Sequence, residues 1–140
     1  MTIETLLSLP ESKTLEFKRD ISSLKPIMKT LIAFANTSGG ILIIGRDTSG
    51  KIIGVPDIFS AEERLANAIS DSIRPALMPE IEIISNNGKP LLMVRVPHWR
   101  GPFYLKTDGP ENGVYIRLGS TNRQAGPEIL AELHRSLSGM

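Results

Sequence analysis

The sequence predicts a single mixed α/β (α+β) domain, a β-sheet with hairpins covered by about three helices. Three observations carry that prediction. Segments with apolar residues at helical spacing alternate with short strand-like stretches, in the order β-α-β-β-α-β-β-β-α. Turn residues separate consecutive strand-like stretches, so those neighbours pair as hairpins. The 140 residues, 41% hydrophobic and 22% charged, hold no repeat and no long polar linker, so residues 1–140 read as one domain with its own core.

The first strand is expected over Thr14–Lys18, where Leu15 and Phe17 alternate with Thr14, Glu16 and Lys18. Ser22 or Ser23 then caps a helix with its apolar face on Leu24, Ile27, Met28, Leu31, Ile32 and Ala35, the spacing of a 3.6-residue period. Pro26 sits in its first turn, and the glycines after Asn36 stop it. Ile41–Gly45 is apolar on both faces, as a central strand must be, and Asp47–Gly50 is a turn that returns the chain as a second strand over Lys51–Val55. Ser60 and Glu63 spell a capping box ahead of Leu65, Ala68, Ile69 and Ile73, in a helix that Pro75 ends. Glu80–Ser85, the turn Asn86-Asn87-Gly88 and Pro90–Val96 form another hairpin. Val114–Leu118 is one more strand, and Pro127 opens a last helix through Ile129, Leu130, Leu133 and Leu137.

Composition excludes several functions. With no cysteine there is neither a disulfide framework nor a thiol nucleophile, and the two histidines, His98 and His134, lie far apart. A net charge of +1 excludes a strongly cationic histone-like binder, so any nucleic-acid surface must concentrate its charge on one face. No signal peptide and no membrane-spanning run is present, so a cytoplasmic protein is expected. A helix precedes Gly39-Gly40 and a strand follows, the reverse of a phosphate-binding loop.

Two stretches carry chemistry. Glu16 and Lys18 share one face of a strand, the minimum of many metal-dependent nuclease sites: the carboxylate holds Mg²⁺ or Mn²⁺ and the lysine steadies charge at the phosphate. Glu11 and Asp47 would add oxygen ligands. The same spacing equally describes a solvated Glu16–Lys18 ion pair, and Asp47-Thr48-Ser49-Gly50 equally describes a plain turn. In the second stretch a strand delivers Arg117 to Ser120, Thr121 and Arg123, a set suited to phosphate oxygens. Arg46 is a further candidate, as is the early run of Lys13, Lys18, Arg19, Lys25 and Lys29. Trp99, Phe103 and Tyr104 could stack bases, but a chain with 5% aromatics needs such residues for its core. His98 reads as a loop residue at a strand end.

The run Leu15-Glu16-Phe17-Lys18, then Ala33-Phe34-Ala35-Asn36-Thr37-Ser38-Gly39-Gly40, Ile41 through Asp47, and Ile53-Gly54-Val55 resembles the Schlafen/AlbA-type domain, which is regarded as DNA-binding. Ile73-Arg74-Pro75, Gly101-Pro102-Phe103-Tyr104 and Gly113 to Thr121 extend the resemblance over about residues 11–133. It implies a compact α/β domain of the kind found in bacterial and archaeal proteins taken for transcriptional regulators. In eukaryotic Schlafens two such units form a nucleic-acid clamp, and some members cleave RNA with three acidic residues, which fall here on Glu11, Glu16 and Asp47. Where the family usually carries two acids in its hairpin, this chain has Arg46-Asp47, and the Schlafen zinc ligands are absent.

The expected function is accordingly a nucleic-acid-binding domain, DNA before RNA, of a transcriptional regulator. It would contact phosphates through Lys13, Lys18, Arg46, Arg117, Ser120, Thr121 and Arg123, act as a homodimer and need no cofactor. The alternative is a Mg²⁺- or Mn²⁺-dependent endoribonuclease with Glu11, Glu16 and Asp47 as ligands and Lys18 as charge stabiliser. A second alternative is a nucleotide- or protein-binding module.

Overall fold

The computed structural model describes residues 1–138, with side chains to Ser136, so Leu137 lies outside the described side chains. In chain order the elements are α1 (Ile3–Ser8), β1 (Leu15–Lys18), α2 (Leu24–Asn36), β2 (Gly40–Ile44), α3 (Ile58–Ser72), β3 (Ile73–Arg74), β4 (Glu80–Asn86), β5 (Lys89–Val96), β6 (Tyr104–Leu105), α4 (Gly109–Asn112), β7 (Tyr115–Leu118), β8 (Thr121–Gln124) and α5 (Pro127–Ser138). This is the mixed α+β class expected, with two short extra helices, α1 and α4.

The main sheet runs β1-β2-β5-β4. β1 and β2 are parallel, joined through the crossover helix α2; the other pairs are antiparallel. Alternate residues therefore feed two cores. Leu42, Ile44, Leu92 and Val94 face α2 and α3, packing on Ile27, Leu31, Phe34, Leu65 and Ile69. Leu15, Phe17, Ile43, Leu91 and Met93 face the other way, where Leu7 of α1 covers them. Two covered faces explain why β2 is apolar throughout.

The helix α2 behaves as its period requires, burying Ile27, Met28, Leu31, Ile32, Phe34 and Ala35. Its stop is physical: Gly39 takes φ +74° and donates to Phe34 O at 2.7 Å. A Cβ there would lie 2.7 Å from Val96 O, so only glycine fits. Ser23 occupies the N-cap position without a side-chain bond, and Ser22 turns instead to Asp20.

Three expectations are corrected. Lys51–Val55 is not a strand: it makes a single isolated bridge, Arg46 to Ile52, and scattered backbone bonds rather than a ladder, and β5 takes the place beside β2. The cause is Gly45 at φ +119°, which bends the chain away; the amides of Ile53 and Gly54 both bond its carbonyl. The Ser60/Glu63 capping box is not used, because α3 starts earlier, after Asp57 in the left-handed region at φ 49°. The residues after Arg117, read only as a phosphate-facing set beyond the last strand, instead fold back as a strand of their own in a tight hairpin, with Leu118 opposite Thr121 and Arg117 opposite Asn122. Among the described residues no helix is long and apolar enough to cross a membrane.

Candidate functional site

Polar residues inside an apolar layer need partners, and here they find one another. Glu16 is buried beneath α2 and the β7–β8 hairpin. One of its oxygens, Oε1, lies 2.5 Å from Arg117 Nη1; the other, Oε2, accepts from the Thr30 hydroxyl at 2.8 Å and lies 3.1 Å from Lys18 Nζ. Asn122 closes the ring: its Oδ1 accepts from Arg117 Nη1 at 2.9 Å and its Nδ2 donates to Thr30 at 2.9 Å.

The guanidinium of Arg117 has five N–H donors, and each has an acceptor. Nη1 serves Glu16 and Asn122, Nε and Nη2 meet Ser12 O at 3.3 and 2.8 Å, and Nη2 also meets Leu15 O at 3.3 Å. Its plane lies over the Phe34 ring, 4.9 Å from the centroid. The side chain is 0% exposed, so Arg117, expected at a phosphate, is instead an internal clasp between the hairpin and the start of β1.

The clasp also closes an edge. β1 is the outer strand of its sheet and would expose free amides and carbonyls. Ser12 N donates to Leu15 O at 2.9 Å, and the Glu11 carboxylate accepts from Phe17 N at 3.0 Å. Asp47 holds its own turn, with Oδ1 accepting from Ser49 N, Ser49 Oγ and Lys51 N at 3.0, 2.7 and 2.9 Å. Those bonds, the Ser49 hydroxyl foremost, lower its pKa below the usual 3.8. The three carboxylates expected around a metal are thus engaged separately. Among the described residues no three acidic or histidine side chains gather as a metal would require.

The remaining candidates divide by face. Lys13, Ser120, Thr121 and Arg123 are exposed and Lys18 is half-exposed. Lys13 follows Ser12, which the clasp ties to the hairpin, and Arg123 Nε bonds Thr121 at 3.1 Å on the hairpin's outer side. Arg46 lies apart: it stacks 3.8 Å from the centroid of Phe17, whose side chain points to the α1 face of the sheet, and its Nε is buried without a hydrogen-bond partner. Of the aromatics, Phe103 is core, whereas Trp99 is exposed. Sequence reasoning missed Thr30, Asn36 and Asn122. Asn36 accepts from Phe103 N at 2.8 Å and donates to Phe103 O and Tyr115 O at 3.0 and 2.9 Å. For Thr30 and Asn36 the available signal was a polar residue on the buried face of an apolar helix; Asn122, on β8, carried none.

The family model for the Schlafen, AlbA_2 domain matches residues 11–126. Among solved structures, the N-terminal domain of a Nitrosomonas europaea protein, described as related to the RecG ATP-dependent DNA helicase, is 33% identical. The match covers 87% of this chain and 89% of that one, with a TM-score of 0.66. The DIP2311 protein of Corynebacterium diphtheriae shares the fold at 20% identity and TM-score 0.70; the match covers 99% of this chain but 28% of that one. No curated protein matches the chain.

Proposed function

The chain belongs to the Schlafen AlbA_2 family, and we propose that it binds nucleic acid, gripping phosphates with cations set along β1 and the β7–β8 hairpin. The observation supporting this is the buried clasp. It holds the hairpin against the turn carrying Lys13 and against β1, which ends in Lys18, while Arg123, Ser120 and Thr121 stay open to solvent. A rigidly held hairpin presents an arginine and hydroxyls in fixed register, which is what positioning on a phosphate backbone requires. Arg117 serves as a positioning residue. Arg46, on the opposite face, lies outside this surface.

DNA is the first ligand to test, since the similar Nitrosomonas protein is described as related to a DNA helicase. A net charge of +1 limits what one copy can hold. A second copy would supply the facing wall of a groove, so we read the working unit as a homodimer. A regulator's choice among sites would come from the hairpin tip.

Fluorescence anisotropy tests the proposal, with labelled duplex DNA and a structured RNA hairpin titrated in EDTA across a salt series. Affinity should fall steeply with salt, and Lys13→Ala and Arg123→Ala should each weaken binding to all sequences alike and flatten the salt slope by about one. Absence of binding to either ligand at high micromolar protein would overturn it.

A further inference from the structure

Trp99 is the chain's one tryptophan, and it is 63% exposed beside Met78, itself 84% exposed. Together with Ala76, Leu77, Pro97 and the buried Phe103 they line an apolar cavity of about 310 Å³. The platform is anchored, because Trp99 N donates to Ala35 O at 3.2 Å and His98 Nδ1 lies 2.9 Å from the same carbonyl. A larger, more polar cleft of about 640 Å³ shares Met78 and Pro97 with this cavity. It runs past Ser38, Gly39 and Gly40 to Thr14, with Arg95 and Glu80 at its side. Exposed Lys13 precedes Thr14, and exposed Arg100 follows Trp99.

We propose that this cleft takes an unpaired nucleotide of a single strand, its base stacked on Trp99 and its sugar-phosphate leading along the polar cleft toward Lys13. The proposal rests on the reading of the chain as a nucleic-acid binder and names the form of nucleic acid that this part of it prefers. An exposed indole over an apolar floor offers a π-face that any base fits. The apolar cavity adjoins the polar cleft at Met78 and Pro97, and the cations Lys13 and Arg100 are the sequence neighbours of the lining residues Thr14 and Trp99, which matches a flat heterocycle joined to a charged backbone; an aliphatic peptide anchor would need no such exit. Glu82 lies 3.7 Å from Arg95 and Glu80 lines the same flank, so the phosphate path is set on the Lys13 side. A base inside a duplex is already stacked and does not enter, so the cleft discriminates between strand states.

The indole itself is the probe. An unlabelled single-stranded oligodeoxynucleotide and its duplex are titrated in EDTA while Trp99 fluorescence is followed; anisotropy of labelled copies gives affinity. The single strand should quench saturably and the duplex should not. Trp99→Ala should weaken single-strand binding roughly ten- to a hundredfold and leave duplex binding and the salt slope unchanged. Trp99→Phe should recover part of the loss, and Met78→Ala should reduce quenching. With Trp99 mostly exposed these variants should fold, which circular dichroism verifies. Undiminished single-strand binding by Trp99→Ala, or equal losses on both ligands, overturns the proposal. Duplex binding without single-strand binding sinks it alone, whereas binding to neither sinks the underlying reading with it. A concentration-dependent blue shift without nucleic acid would assign the cleft to a second copy and also overturn it.

Discussion

Arg117 commits every donor it has to the interior, and that decides what its loss would do. Burying one charge costs several kcal/mol unless the other stays in place. Arg117→Ala would leave Glu16 facing only the half-exposed Lys18 and the Thr30 hydroxyl. We expect a loss of about 3–5 kcal/mol in urea unfolding. Replacing both members, Glu16→Leu with Arg117→Met, should recover a large part of it, because two apolar side chains carry no desolvation penalty. If the double variant is no better than the single one, the pair does not set the cost. Asp47 makes the opposite case, a surface carboxylate tied into its own turn. Its pKa is lowered below 3.8 by the Ser49 hydroxyl and the Lys51 amide, so its contribution exists above the unfolded value and disappears as pH falls through the folded one. The Tm gap between the protein and Asp47→Ala should therefore be full at neutral pH and close below about pH 3.8. A gap that persists in strong acid would refute that account.

At the scale of elements, the β7–β8 hairpin belongs to no large sheet and is held by side chains rather than by a ladder. Asn36 bonds Tyr115 O where the hairpin begins, and the Thr37 hydroxyl accepts from Arg117 N at 2.9 Å. Asn36→Ala would strand the buried amide and carbonyl of Phe103, at about 1–3 kcal/mol for each unsatisfied group. Hydrogen exchange should then speed up in the hairpin and in the 97–103 loop before it does in β2 and β5. Uniform acceleration everywhere would mean that Asn36 supports the whole core instead. Elements with local causes were legible in the sequence: the period of α2, Asn87-Gly88 between β4 and β5, and Pro127 opening α5. Those set by distant contacts were not. β1 and β2 are parallel neighbours, yet nothing near Gly45 announces that β5 rather than residues 51–55 will lie beside β2. Arg117 carries the same lesson for the site. Its cation suggested phosphate, and the carboxylate that claims it is 101 positions away. Lys13 and Arg123 keep their expected exposure: no buried carboxylate claims either, and Arg123 reaches only the exposed Thr121 hydroxyl two residues away.

Viewed whole, the molecule is nearly neutral, and its binding must come from placement. Three exposed or half-exposed cations, Lys13, Lys18 and Arg123, lie on the proposed surface. Displacing about one counterion per phosphate contact, a single copy should give a log–log salt slope near −3 on duplex DNA, and a dimer using both copies roughly double that. Measuring the slope alongside sedimentation separates the two: a monomer with the steeper slope would place further cations in contact and redraw the surface. The clasp that closes this architecture has one more consequence, in the time order of synthesis. Glu16 leaves the ribosome 101 residues ahead of Arg117. At ~5–20 residues per second that is a wait of roughly 5–20 s. During it the acid stays hydrated and β1 keeps a raw edge, until the β7–β8 hairpin arrives to close the clasp.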